Sequence, residues 1–219
     1  MILAGLILAQ SSYAIGCPMK EGEEWRFDSV EILKTQRQYI KHDLKCKQTV
    51  LGIDNYGVQH VEVEVIGGTI NESTDGEKSE PEDPKGETWN FYLNGNGQQF
   101  QYEEIKATFE DDPLGYVDEL LHVAIDRKAV APGETWRRRT KIMDILFKGL
   151  PIKKIDKYDC IGLERTGTFL DPLRGTFKVT QWYRCDNGRL QSESTTADDL
   201  VSDGLPMIDY TFTYSAKEK

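Results

Sequence analysis

The strongest constraint on this fold is a period of two. Val58 to Ile66 reads Val-Gln-His-Val-Glu-Val-Glu-Val-Ile, a near-perfect alternation of apolar and polar residues. Only an extended strand places alternate residues on one face. The same period returns in Trp25–Ile32, Thr176–Cys185 and Met207–Tyr214. Between such runs stand turn sequences, among them Asp54-Asn55-Tyr56-Gly57, Asn94-Gly95-Asn96-Gly97 and Asp186-Asn187-Gly188. Their Asn, Asp and Gly residues accept the positive φ angles of tight turns. The pattern amounts to about ten short strands at hairpin spacing. It predicts a mainly β protein, with antiparallel strands forming a curved sheet, a half-barrel or a sandwich. Tyr116 to Val123 is the exception, with Tyr116, Leu120 and Val123 spaced for one or two helical turns.

One phrase punctuates this pattern. Gly22-Glu23-Glu24-Trp25 and Gly133-Glu134-Thr135-Trp136 each put a glycine turn before a tryptophan that opens a strand-like run. A turn followed by a buried aromatic fixes strand register. Gly22, Gly133, Trp25 and Trp136 are therefore expected structural anchors, with Trp182 a further one in its alternating strand. A cysteine follows each phrase, Cys46 and Cys160. The doubled grammar suggests two related β halves, 15–124 and 125–219. A third copy, Gly86-Glu87-Thr88-Trp89, blurs the count, and Gly-Glu-x-Trp is also simply a common way into a strand. Within the first half, 67–85 is rich in Gly, Ser, Asp, Glu, Pro and Lys, with Ile70 as its large apolar residue. Such a segment buries little surface, so a mobile acidic loop is expected there.

The N-terminus points to export. Ile2 to Ala9 is an apolar run too short to span a bilayer, which takes about 20 residues. Gln10-Ser11-Ser12-Tyr13-Ala14 follows, with small residues at Ser12 and Ala14. This reads as a secretory signal peptide over 1–14, although no Lys or Arg precedes the apolar run. Ala14-Ile15-Gly16-Cys17 supports an alternative, a lipoprotein signal over 1–16 with Cys17 lipidated. Membrane contact is expected only through that lipid. The net charge of −10 opposes the counterion-releasing contacts that bind nucleic acid, so no nucleic-acid partner is expected.

In an exported protein, four cysteines are enough for two disulfides. Cys160 and Cys185 lie in extended segments on either side of one turn region, which suggests a pair. Cys17 and Cys46 form a second if Cys17 is not lipidated. The first would close a loop of some 25 residues, contributing about 3 kcal/mol. No cofactor, metal site or catalytic residue is expected. His42, His60 and His122 are scattered, and the cysteine spacings suit no zinc motif. Asp111-Asp112 and Asp198-Asp199 with Asp203 lack the spacing of a calcium loop. Arg137-Arg138-Arg139 reads as a charged strand edge. Asn71-Glu72-Ser73 is a glycosylation sequon in form.

Pro132-Gly133-Glu134-Thr135-Trp136 and Trp182–Leu190, with Gly188, Leu190 and Glu193 in a Gly-x-Leu-x-x-Glu run, resemble the TapB-like and other uncharacterised exported bacterial envelope proteins. That resemblance implies an exported, mostly antiparallel β protein. The expected localisation is periplasmic, outer-membrane-associated or extracellular. The expected role is non-enzymatic binding or structure, with a lipid, a glycan or an envelope protein as partner. The alternative is a secreted glycan hydrolase using a carboxylate pair, which would show two carboxyl groups within about 5–10 Å in a cleft. A purely structural module would instead show a flat apolar patch or an unpaired edge.

Overall fold

The computed structural model describes residues 11–16, 19–93, 99–100, 113–114, 117, 121, 125, 127–201 and 205–217. It is nearly all sheet. The strands are β1 (Tyr13–Ala14), β2 (Glu24–Lys34), β3 (Gln38–Ile53), β4 (Gln59–Thr74), β5 (Glu77–Lys78), β6 (Thr88–Leu93), β7 (Gln99–Phe100), β8 (Ala129–Val130), β9 (Thr135–Arg139), β10 (Met143–Ile155), β11 (Tyr158–Phe169), β12 (Arg174–Arg184), β13 (Leu190–Val201) and β14 (Ile208–Lys217).

Among the described residues, all but two of these strands join one 12-stranded sheet in the order β7-β6-β4-β3-β2-β14-β13-β12-β11-β10-β9, with β5 paired to β4. Every pairing is antiparallel. The sheet is curved and does not close. Each half is a run of neighbouring strands, and the halves join where β14 pairs with β2, Tyr210 opposite Leu33 and Lys217 opposite Arg26. The remaining two strands, β1 and β8, pair with each other.

The concave face carries the core. A larger cluster gathers mainly on the second half, around Ile145, Phe147, Ile161, Leu163, Leu200, Ile208 and Tyr210, and takes in Leu33 of β2 and Ile40 of β3. Leu114, Val117 and Leu121, which take helical backbone, pack into it. Their i, i+3, i+7 spacing is one face of a helix. The face expected from Tyr116, Leu120 and Val123 lies outside the described residues. A smaller cluster on the first half holds Met19, Trp25, Phe27, Cys46, Val50, Val61, Val63, Val65, Phe91 and Leu93.

All three Gly-Glu-x-Trp phrases build one structure. Glu23 N donates to Lys20 O, Glu87 N to Pro84 O and Glu134 N to Ala131 O, at 3.0, 3.0 and 3.1 Å. The glycine between them has φ of 76°, 92° and 78° at Gly22, Gly86 and Gly133. This is a β-turn with positive φ at its third residue, the position that favours glycine. The turn then docks on a neighbouring strand. Gly22 N donates to Val50 O and Val50 N to Glu23 O. Gly86 and Glu87 make the same two bonds with Val65, and Gly133 and Glu134 with Gly149.

The segment 67–85, expected as a loop, is strand through Thr74 and again at Glu77–Lys78. β4 runs on through Thr74, pairing Gly67 to Thr74 with Lys45 to Gln38, then turns at Asp75-Gly76 into β5. Backbone ladder bonds order a stretch that buries little side-chain surface. Asn71 sits within it. The expected 1–14 signal boundary falls inside the small sheet, since Tyr13 and Ala14 form β1 and Ile15 is buried in the larger core. Residues 1–10 lie outside the described residues.

Candidate functional site

Where β12, β13, β14, β2 and β3 cross the concave face, the two core clusters do not meet. Between them is a cavity of about 410 Å³, within the range of small-molecule sites. Alternation chooses its lining. Trp25, Phe27, Ser29 and Glu31 of β2 point into it, as do Val179, Gln181 and Tyr183 of β12, Glu193 and Thr195 of β13, and Tyr210, Phe212 and Tyr214 of β14.

Its two walls differ. The first half contributes Met19, Trp25, Phe27, Leu44, Val63, Phe91 and Leu93, an apolar surface broken by Ser29, Glu31 and Gln48. The second half sets more polar groups, which hold one another, beside Val179, Leu190 and Phe212. Tyr183 OH donates to Gln181 Oε1 at 3.0 Å, Gln181 Nε2 to Glu193 Oε2 at 2.9 Å, and Thr195 Oγ1 to Glu193 Oε1 at 2.9 Å. Tyr210 OH donates to Glu31 Oε1 at 2.7 Å. Arg165 of β11, buried, stands one strand beyond Val179 and also lines the space. Burial pushes the Tyr183 hydroxyl up, against the opposing pull of Arg165. It likewise pushes Tyr214 up, against a hydrogen bond with Trp25. Both phenols are therefore neutral donors and acceptors.

The first phrase frames this space. Trp25 is buried and lines the cavity. Arg189 lies over its ring, 5.4 Å from the centroid, and is ion-paired to Glu23. The second phrase repeats the arrangement with a different arginine. Arg127 covers Trp136 at 4.3 Å and is ion-paired to Glu134, while Trp136 stacks on Phe147 at 4.9 Å. These two phrases thus each end in a carboxylate, guanidinium and indole layer. Arginine over tryptophan is a favourable cation–π pairing.

The other anticipated residues are placed as follows. Trp182 lies on the outer face, half-buried, with Lys153 Nζ 3.9 Å above its ring. The expected Cys160–Cys185 disulfide is not formed. Both thiols are free, as is that of Cys46. Register separates them: Cys160 is opposite Arg184, and Cys185 lies one residue past the end of β12, packed against the larger core. Burial pushes the Cys160 thiol up to about 11. Cys46 is buried in the smaller core, where desolvation, with Asp28 adding to it, takes it up to about 12. Its anticipated partner Cys17, the lipidation candidate, lies outside the described residues, as do His122, Asp111, Asp112 and Asp203. His60 stacks on Tyr92 at 4.9 Å. Among the described residues β9 is an edge strand, with Arg137 and Arg139 exposed and Arg137 hydrogen-bonded to Asp144.

No protein-family model matches the chain, and no curated protein does. Among solved structures it is similar to a DUF1329 family protein from Desulfovibrio piger ATCC 29098, with 11% identity and a TM-score of 0.27. The alignment covers 90% of this chain and 85% of that one. A likeness at that score carries no argument about activity.

Sequence reasoning anticipated Trp25 and the glycine turn beside it. It missed Arg165, Gln181, Tyr183, Glu193 and Arg189 as one constellation. Their inward-facing positions were readable from strand alternation, but nothing local announces which strands become neighbours.

Proposed function

We propose that this chain is an exported bacterial envelope protein that binds, without chemical turnover, an amphipathic lipid-like molecule in the concave-face cavity. The observation that carries the reading is the division of the walls. An apolar surface from Trp25, Phe27, Val63 and Phe91 faces a hydrogen-bonded polar surface from Tyr183, Gln181, Glu193 and Thr195. An acyl chain suits the first. A polar head that exchanges hydrogen bonds suits the second, because buried polar groups penalise a ligand that leaves them unmatched.

The test uses the apolar dye 1-N-phenylnaphthylamine and its displacement by a long-chain fatty acid. Ser29 lines the cavity between Tyr214 and Leu44, so Ser29→Phe puts a ring into the empty space. The native protein should bind the dye and release it to the fatty acid. The variant should bind at least tenfold more weakly while keeping a cooperative thermal transition. Equal dye binding by the folded variant would refute the site.

The hydrolase reading has one observation on its side, that Glu31 and Glu193 line the same cavity. Both carboxylates already accept hydrogen bonds from their neighbours. Under the binding reading, Glu193→Gln retains dye and fatty-acid binding. A glycan-cleaving activity abolished by that substitution would favour the hydrolase instead.

A further inference from the structure

Glu193 stands near the middle of the concave face. Its row across the sheet runs Gln181, Glu193, Tyr214 and Ser29, from β12 through β13 and β14 to β2. All four line the cavity, so the half-buried carboxylate borders open space rather than a filled core.

The groups bonded to that carboxylate do not match its charge. Among the described residues, its hydrogen bonds come from Gln181 Nε2 and Thr195 Oγ1, each at 2.9 Å. Both donors are uncharged. A carboxylate has about four acceptor positions, so about half of those on Glu193 remain. Arg165 lies within range of the same wall, since it and Glu193 act on the Tyr183 hydroxyl in opposite senses. The inventory is still negative. Glu31 and Glu193 line the cavity with Arg165 and Arg189, and Arg189 is ion-paired to Glu23. Three described carboxylates therefore stand against two guanidiniums. A charge withdrawn from water costs free energy unless an opposite charge meets it.

We propose that the head of the cavity's ligand is a primary ammonium group, seated on Glu193 with its chain along the apolar wall. The inference rests on the lipid-binding reading above and names the chemistry of the head. An ammonium group carries N–H donors and no acceptor. It fits the acceptor positions that Gln181 and Thr195 leave on Glu193, and its charge offsets the excess of the wall. Tyr214, next to Glu193 in its row, and Trp25 add aromatic surface, on which a cation is favoured. A carboxylate head reaches Arg165 only against the repulsion of Glu31 and Glu193, and Arg189 is already paired with Glu23. Long-chain amines and aminophospholipids share the ammonium head.

Displacement of 1-N-phenylnaphthylamine by dodecylamine and by dodecanoate, matched in chain and kept below micelle formation, tests this at neutral pH. Native protein should bind the amine about tenfold more tightly than the acid, the scale of one charge-assisted hydrogen bond. Glu193→Gln removes the charge and keeps the shape, and the preference should vanish. Glu77→Gln removes an equal charge from exposed β5 and should keep the native preference, which separates the site from the general attraction of a chain with net charge −10. The native preference should also persist in about 1 M salt, where exposed charges are screened beyond about 3 Å. Lysophosphatidylethanolamine against lysophosphatidylglycerol repeats the comparison on a phosphate-bearing head. A preference there makes the aminophospholipid a ligand, and one confined to dodecylamine makes it the simple amine. Equal affinities of native protein for amine and acid, a preference lost in high salt, or one unchanged in Glu193→Gln would overturn the ammonium site. Dye binding retained in that outcome would leave the cavity reading standing; dye binding absent from native protein would fell the cavity reading itself.

Discussion

Replacing Gly22 by alanine isolates the turn on which β2 is hung. At Gly22, φ is +76° and nothing lies within 4 Å of where a Cβ would be. The substitution therefore meets no steric obstacle, and its cost is backbone conformation alone. A left-handed non-glycine residue costs about 1–2 kcal/mol, and the stiffer unfolded chain gives back about 0.4–1 kcal/mol. The net loss is about 1 kcal/mol, a fall in Tm of roughly 2–4 °C for a chain of this size. Gly86→Ala should behave alike, because Gly86 has φ +92° and equally open surroundings. Two controls bracket the effect. Gly52, also with nothing within 4 Å but without a positive φ, should accept alanine with no loss or a small gain. Gly149 should lose more than Gly22, since a Cβ there would run into the Ala131 carbonyl of the docked turn. Differential scanning calorimetry of the four variants gives the order. Gly52→Ala as damaging as Gly22→Ala would refute the argument.

Three other outcomes follow from the same geometry. Cys46 and Tyr214 are held neutral by burial, with folded values above their ordinary 9.0 and 10.0. The folded state binds these protons more tightly, so their contribution is complete below pH 9 and is lost as pH rises through 9 toward 12. Urea midpoints should fall over that window and fall less steeply in Cys46→Ala; a pH-independent midpoint would contradict the burial. Arg189→Ala removes a half-exposed ion pair to Glu23 and the cover over Trp25. It should cost about 1 kcal/mol, with a coupling to Glu23→Gln measurable in a double-mutant cycle. Finally, non-reducing peptide mapping should find the Cys160 and Cys185 peptides unlinked; a linked peptide would show that the register at the end of β11 and β12 is wrong.

The strands, their edges and their turns were legible because each depends on neighbours in sequence. Alternation in Val58–Ile66 fixes which side chains share a face whatever the partner strand. The Gly-Glu-x-Trp phrase specifies a positive φ and a bulky strand opener within four residues, and Arg137-Arg138-Arg139 fits an edge because every other side chain faces out. The segment 67–85 misled because composition measures side-chain burial, whereas a ladder to Gln38–Lys45 pairs the backbone of its first eight residues.

Only the tertiary structure decided the rest. That β14 closes on β2, making two meanders into one sheet, depends on pairing between residues such as Tyr210 and Leu33. A one-residue offset put Cys160 opposite Arg184 rather than Cys185. The cavity is space left between two cores, so no residue encodes it; it exists because the curvature of the sheet holds Trp25 and Phe27 away from Tyr183 and Glu193. Local sequence sets which way a side chain points, and long-range register sets what it points at.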